Sequence, residues 1–152
     1  MYFWKTHQLA EDIKNDTISD NEWKNYYLAG SILVVLSMYL ILLSPREDIY
    51  SVLVEVAGTI GVIIFGVNIT FKTNQAGNGD GANFIARLTA LSLPLLIKIT
   101  VLSFAVGIII GFLSGFFSMV IEMGEWFSAV LTILLEGFLF WRINIHLRYI
   151  NA

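Results

Sequence analysis

The sequence predicts an all-α membrane protein: four transmembrane helices, an N-terminal amphipathic helix, and an interfacial helix before the third span. Three observations carry this expectation. The chain is 57% hydrophobic and only 14% charged, with a mean hydropathy of +0.73. The charges lie mostly outside the long apolar runs. The bases gather on one side of the path that four spans would trace. A soluble domain of this size needs more charge to cover its surface.

The chain divides at about residue 22. Residues 1–22 form a cytoplasmic amphipathic segment, and residues 23–152 a four-helix transmembrane domain. In the first segment Phe3, Leu9, Ala10 and Ile13 fall near one face at helical spacing. That face suits either the headgroup region or the protein's own cytoplasmic surface. Lys5, Glu11, Asp12 and Lys14 lie mostly on other faces, and with Asp16 these charges leave the segment without a signal-peptide core. Ser19 with Glu22 three residues on reads as a capping box that opens the first span.

The spans fall at about 23–43, 49–71, 95–117 and 126–141. The second span is about the length that a hydrocarbon core of roughly 30 Å requires. Ser44, Pro45, Arg46, Glu47 and Asp48 make a polar turn after the first. Thr73 to Asn83, rich in glycine and asparagine, separates the second from the third. Asp80 or Asn83 is placed to cap the helix that follows. The apolar run from Phe84 to Met123 is too long for one simple span. Pro94 divides it best, with residues 83–92 lying along the cytoplasmic face and Pro94 in the first turn of the third span. The alternative is one long helix kinked at Pro94. Residues 118–125 make the outer connection. The last span continues through Arg142, Asn144, His146 and Arg148 as a helical tail.

Orientation follows from the bases. Lys5, Lys14, Lys24, Lys72, Arg87, Arg142 and Arg148 lie on one side and Arg46 alone on the other. The positive-inside rule makes the first side cytoplasmic, with both termini there. A net charge of −3 argues against a nucleic-acid partner. The absence of cysteine removes thiolate chemistry. His7 and His146 stand singly, the Asn74–Asp80 loop lacks calcium-ligand spacing, and no phosphate loop or Ser/His/Asp arrangement occurs. No cofactor or metal is therefore expected.

Two sets of residues remain as candidates. Gly107, Gly111 and Gly115 recur every four residues and would make a smooth packing face, within one bundle or in a homo-oligomer. Gly58, Gly61 and Gly66 give the second span a weaker one. Glu55, Lys98 and Glu136 are charges inside apolar runs, each costing a few kcal/mol (roughly 2.5–3.5) at mid-membrane. Lys98 and Glu136 lie at one depth and would either pair or leave Lys98 to snorkel inward. Asp80, Arg87 and Arg142 would add a polar cluster on the cytoplasmic side.

The stretch Asn78-Gly79-Asp80-Gly81, then Phe84-Ile85, Arg87, Leu91, Pro94 and Ile97-Lys98, resembles a pattern in small uncharacterised four-span membrane proteins of bacteria. The resemblance covers about a quarter of the chain. It implies a multi-pass inner-membrane location and assigns no activity. Small multidrug transporters share the span number but carry a glutamate in the first span, where this chain has no acid after Glu22. The expected function is that of a non-enzymatic accessory or regulatory component, in contact with lipid and with itself or another membrane protein. A small ion or proton channel or transporter using Glu55, Lys98 and Glu136 is the alternative, and a membrane-embedded enzyme the third.

Overall fold

The computed structural model describes residues 2–42, 48–76, 81–114 and 119–152, with the side chains at 35, 38–42, 81–82, 110–111, 113–114 and 119–123 outside that description. Among the described residues five helices follow in order: α1 (Thr6–Lys14), α2 (Asp20–Leu42), α3 (Ile49–Ala76), α4 (Gly81–Ser114) and α5 (Met119–Asn151). Among the described residues, three helices are long and apolar enough to cross a membrane: Ile49–Ala76, Asn83–Ile109 and Gly124–Asn151. The expected count is four. The fourth segment, in α2, begins with the polar turns from Asp20 to Asn25, and its outer side chains lie outside the described residues.

The start of α2 is built as its sequence requires. Ser19 accepts from the backbone N–H groups of Glu22 (2.9 Å) and Trp23 (3.1 Å) through its carbonyl. The Glu22 carboxylate receives the Ser19 N–H at 3.2 Å and its hydroxyl at 3.1 Å. The N–H of Ser19 would otherwise be an unsatisfied donor at the helix end.

Residues 83–92 do not form a separate interfacial helix. They belong to α4, which runs unbroken through Pro94. Proline removes one N–H from the ladder and crowds the carbonyl four residues back. Packing overrides this local preference here. Ala90, Leu91, Leu93, Pro94 and Leu95 are all buried, so helix continuity keeps an apolar stripe in contact with its neighbours. Asn83 is consequently an interior residue of α4 and not its cap. Asp80, Gly115 and the turn around Pro45 lie outside the described residues. The outer connection is also shorter than expected, because α5 already begins at Met119 and includes Glu125.

The helices pack in the order α2, α4, α5, α3, with α1 seated on α4 and α5. The α3–α5 seam is the most extensive, and the two helices run parallel. Glu125 meets Asp48, Ile133 meets Gly58, Phe140 meets Gly66, and Asn144 meets Thr73 in succession. Gly58 and Gly66 are necessary for this approach. A methyl on Gly58 would lie 2.9 Å from Ile133 Cγ1, and one on Gly66 would lie inside contact distance of the Phe140 ring. In lipid, where water supplies no hydrophobic drive, such close packing is what holds helices together.

The bundle has two tiers. At one end Leu9, Ala10 and Ile13 of α1 meet a core containing Tyr26, Phe84, Leu91, Leu95, Leu139, Ile143, Leu147 and Ile150. Above it the surface is apolar: Leu53, Ile60, Phe65, Leu102, Phe104, Ile108 and Phe112 are exposed. A helix as short as α1 is marginal alone. Burial of Leu9 and Ile13, at about 1.5–3 kcal/mol each when removed from water, makes docking a condition of its helicity. Its C-terminus is closed by Asp16 at φ 54°, with Thr17 N donating to Asp12 O at 3.0 Å. That left-handed residue and the five-residue span of the bond define a Schellman-type cap.

Candidate functional site

The polar residues collect where α1 meets the ends of the longer helices. Lys98 on α4 does not reach Glu136. Its ammonium donates to Thr6 Oγ1 at 2.9 Å and stands 5.9 Å from the Trp4 ring centroid. The flexible lysine stem carries its charge from α4 to α1. Thr6 is itself buried, so this bond satisfies a hydroxyl that packing has removed from water.

A second set closes the ends of α3 and α5. Thr73 Oγ1 donates to Asn144 Oδ1 at 2.6 Å, and Asn151 Nδ2 donates to the Thr73 carbonyl at 2.7 Å. Arg87 Nη1 donates to Asn74 Oδ1 at 3.1 Å. Asn74 is fully buried, and its Nδ2 has no partner among the described residues. These contacts tie α3, α4 and α5 together through side chains, as backbone hydrogen bonding cannot do between helices.

Arg142 and Arg87 make separate contacts. The Arg142 guanidinium lies 6.0 Å from the Trp141 ring centroid, within cation–π range. It forms no hydrogen bond to a described residue. Lys98 and the His146 imidazole stand near it. His146 is 5% exposed and its Nε2 has no partner among the described residues. Facing it from α1, His7 stacks on Tyr149 at 4.9 Å, and Lys14 stands 5.1 Å from the same ring. The α1-covered end therefore carries the basic side chains of Lys98 on α4 and Arg142 on α5.

Glu136 and Glu55, the acids within the apolar runs, sit apart from this cluster. Glu136 is half-buried and receives no hydrogen bond from a described residue. Glu55 is also half-buried. It shares a helical face with Gly58, Thr59 and Gly66, and so belongs to the α3–α5 seam. The Thr59 hydroxyl there is buried without a described partner. At the opposite end Glu125 accepts from Asp48 N at 2.9 Å and Ser51 Oγ at 3.3 Å. It caps α3 from α5, a role invisible in local sequence because the residues are far apart in the chain.

The structure redistributes the glycine candidates. A methyl added at Gly107 would meet nothing within 4 Å, whereas Gly58 and Gly66 are in tight contact with α5. Gly115, and the surroundings of Gly111, lie outside the described residues. Among the described residues no three His, Asp or Glu side chains gather as a metal site would need. Outside the spans, the Ser19 N–H holds the Glu22 carboxyl below the ordinary glutamate value of 4.5.

The chain is thus an all-helical, membrane-embedded type of protein with a polar, α1-covered end. No protein-family model, curated protein or solved structure matches it.

Proposed function

We propose that the protein is a non-enzymatic accessory or regulatory component of a bacterial inner membrane, with four spans and both termini cytoplasmic. α2 is the fourth span: after Lys24 it carries no charged residue through Leu42. The observation that carries the functional reading is the use made of the polar side chains. Lys98, Thr6, Arg87, Asn74, Thr73, Asn144 and Asn151 join helices to one another at the cytoplasmic end. The outer tier meanwhile presents broad apolar faces to lipid or to another membrane helix. A firmly closed cytoplasmic end on an apolar anchor suits a platform for a partner.

A channel or transporter is the second reading. It is favoured by half-buried Glu136 and by Glu55 with Thr59 along the α3–α5 seam, because intramembrane acids are commonly functional. Crosslinking in intact membranes followed by purification in mild detergent tests the first reading. It expects a specific membrane protein to be captured, and purified protein in liposomes to conduct no more than empty vesicles. Proton or ion flux that Glu55→Gln and Glu136→Gln both abolish would establish the second reading instead.

A further inference from the structure

His146 is buried on the part of α5 that follows Trp141, and its Nε2 has no hydrogen-bond partner among the described residues. Tyr149 and Ile150 come three and four residues later, on the same face of the helix. That face is the one α1 covers. His7 stacks on Tyr149 at 4.9 Å, and Lys14 lies 5.1 Å from the same ring. Leu9, Ala10 and Ile13 of α1 share a core with Ile143, Leu147 and Ile150 of α5.

The charged and titratable groups that act on the imidazole are all basic: Arg142 one turn before it on α5, His7 on α1 and Lys98 on α4. The acids of α1 are turned elsewhere, Asp12 beside the Tyr2 hydroxyl and Glu11 exposed. Arg87 on α4 is engaged by Asn74, and Lys72 on α3 is exposed. Among the described residues α2 does not pack on α5. A neutral imidazole fits these surroundings. A protonated ring carries an N–H on both nitrogens, and Nε2 has no acceptor to meet. It would also place a positive charge beside Arg142 and Lys98 in an apolar core. Release of α1 returns the ring to water, where histidine takes up a proton at about pH 6.5.

We propose that α1 is a pH-dependent cover, seated on α4 and α5 while His146 is neutral and released when His146 is protonated. The proposal rests on the regulatory reading above and supplies its stimulus: acidification opens the cytoplasmic end and uncovers Leu147 and Ile150 for a partner. Above about pH 6.5 the ring is neutral whether α1 is seated or free, and seating is at full strength. As pH falls, the free state binds a proton that the seated state does not, so the seated population declines. From pH 7.5 to pH 5.5 one such proton raises the ratio of free to seated α1 about tenfold.

The chain has no cysteine, so spin labels can be placed at chosen positions. Gln8 on α1 and Ala152 beyond α5 are exposed, and Gln8→Cys with Ala152→Cys carries the pair. The full labelled chain is reconstituted in lipid vesicles, and pulsed electron–electron resonance gives the seated and free fractions from the distance distribution. Their ratio is expected to shift about tenfold toward the free state from pH 7.5 to pH 5.5. His146→Leu and His146→Gln, which have no ring to protonate, each remove this response. His7→Gln changes an exposed ring and keeps most of it. Circular dichroism checks that each variant remains helical. A ratio that does not move with pH in the otherwise unaltered chain overturns the proposal. So does a response that persists in both His146 variants, or one that His7→Gln abolishes. The readout needs no partner, so the capture of a membrane protein and the release of α1 fail separately.

Discussion

Gly66→Ala adds one methyl group where α3 meets α5. The new carbon would lie 2.5 Å from Phe140 Cδ2, about 1 Å inside the contact distance of roughly 3.5–4.0 Å at which carbon atoms attract. The obstructing atoms include the root of the ring, so a rotation of a side-chain tip cannot relieve the overlap. Overpacking of this kind costs about 1–3 kcal/mol. Alanine also raises helix propensity over glycine by about 1 kcal/mol. Gly61→Ala removes this ambiguity, because it lies on the same helix with nothing within 4 Å. It gains the propensity term without the clash. Gly66→Ala should therefore be about 1–3 kcal/mol less stable than Gly61→Ala. Reversible unfolding in mixed micelles, followed by far-ultraviolet circular dichroism, measures the difference. Adding Phe140→Leu to Gly66→Ala should recover about 1 kcal/mol through coupling of the two sites. Equal stabilities for the two alanine variants would refute the close approach of α3 and α5.

Glu125→Ala should destabilise the same bundle by about 1–2 kcal/mol, because the Asp48 N–H and Ser51 hydroxyl lose their acceptor at the start of α3; thermal unfolding in detergent would show this, and Ser51→Ala should cost less. Asp16→Gly should strengthen the C-terminal cap of α1 by roughly 0.5–1 kcal/mol, since glycine adopts the left-handed backbone at φ 54° without strain; hydrogen exchange of α1 amides would slow. Glu22 has a folded pKa below its unfolded value. Its stabilisation is full above the ordinary value of 4.5 and is lost as pH falls through the lower folded value. Unfolding followed from pH 6 downward should show a shallower acid decline for Glu22→Gln, with a small amplitude because the carboxylate is exposed to screening.

The elements that local chemistry controls are legible in the sequence. Ser19 and Glu22 sit three residues apart and need only each other, so their capping box is readable. The helical tail through Arg142 and Arg148 continues an unbroken apolar pattern. Pro94 misleads because its local cost is outweighed by the buried residues around it, whose contacts involve several elements. Glycine spacing shows that a smooth face exists at Gly107 and at Gly66 but not which one a neighbour fills. That depends on where Ile133 and Phe140 project. Among the site candidates, the ability of Lys98 to reach beyond its own helix follows from its long stem, but its partner does not. Thr6 lies 92 residues away in sequence, and its placement depends on α1 docking. The contact of Arg142 with Trp141 and the capping role of Glu125 likewise exist only in the assembled bundle.

The seat of α1 also imposes an order on biosynthesis. α1 leaves the ribosome before the four longer helices, yet its contacts are with α4 and α5, and Tyr149 in the last turns of α5 meets both His7 and Lys14. The seat of Leu9 and Ile13 is consequently complete only once α4 and α5 are both in place. Synthesis of α5 and closure of α1 are coupled steps. A chain that stops before α5 lacks the larger part of the surface on which α1 seats.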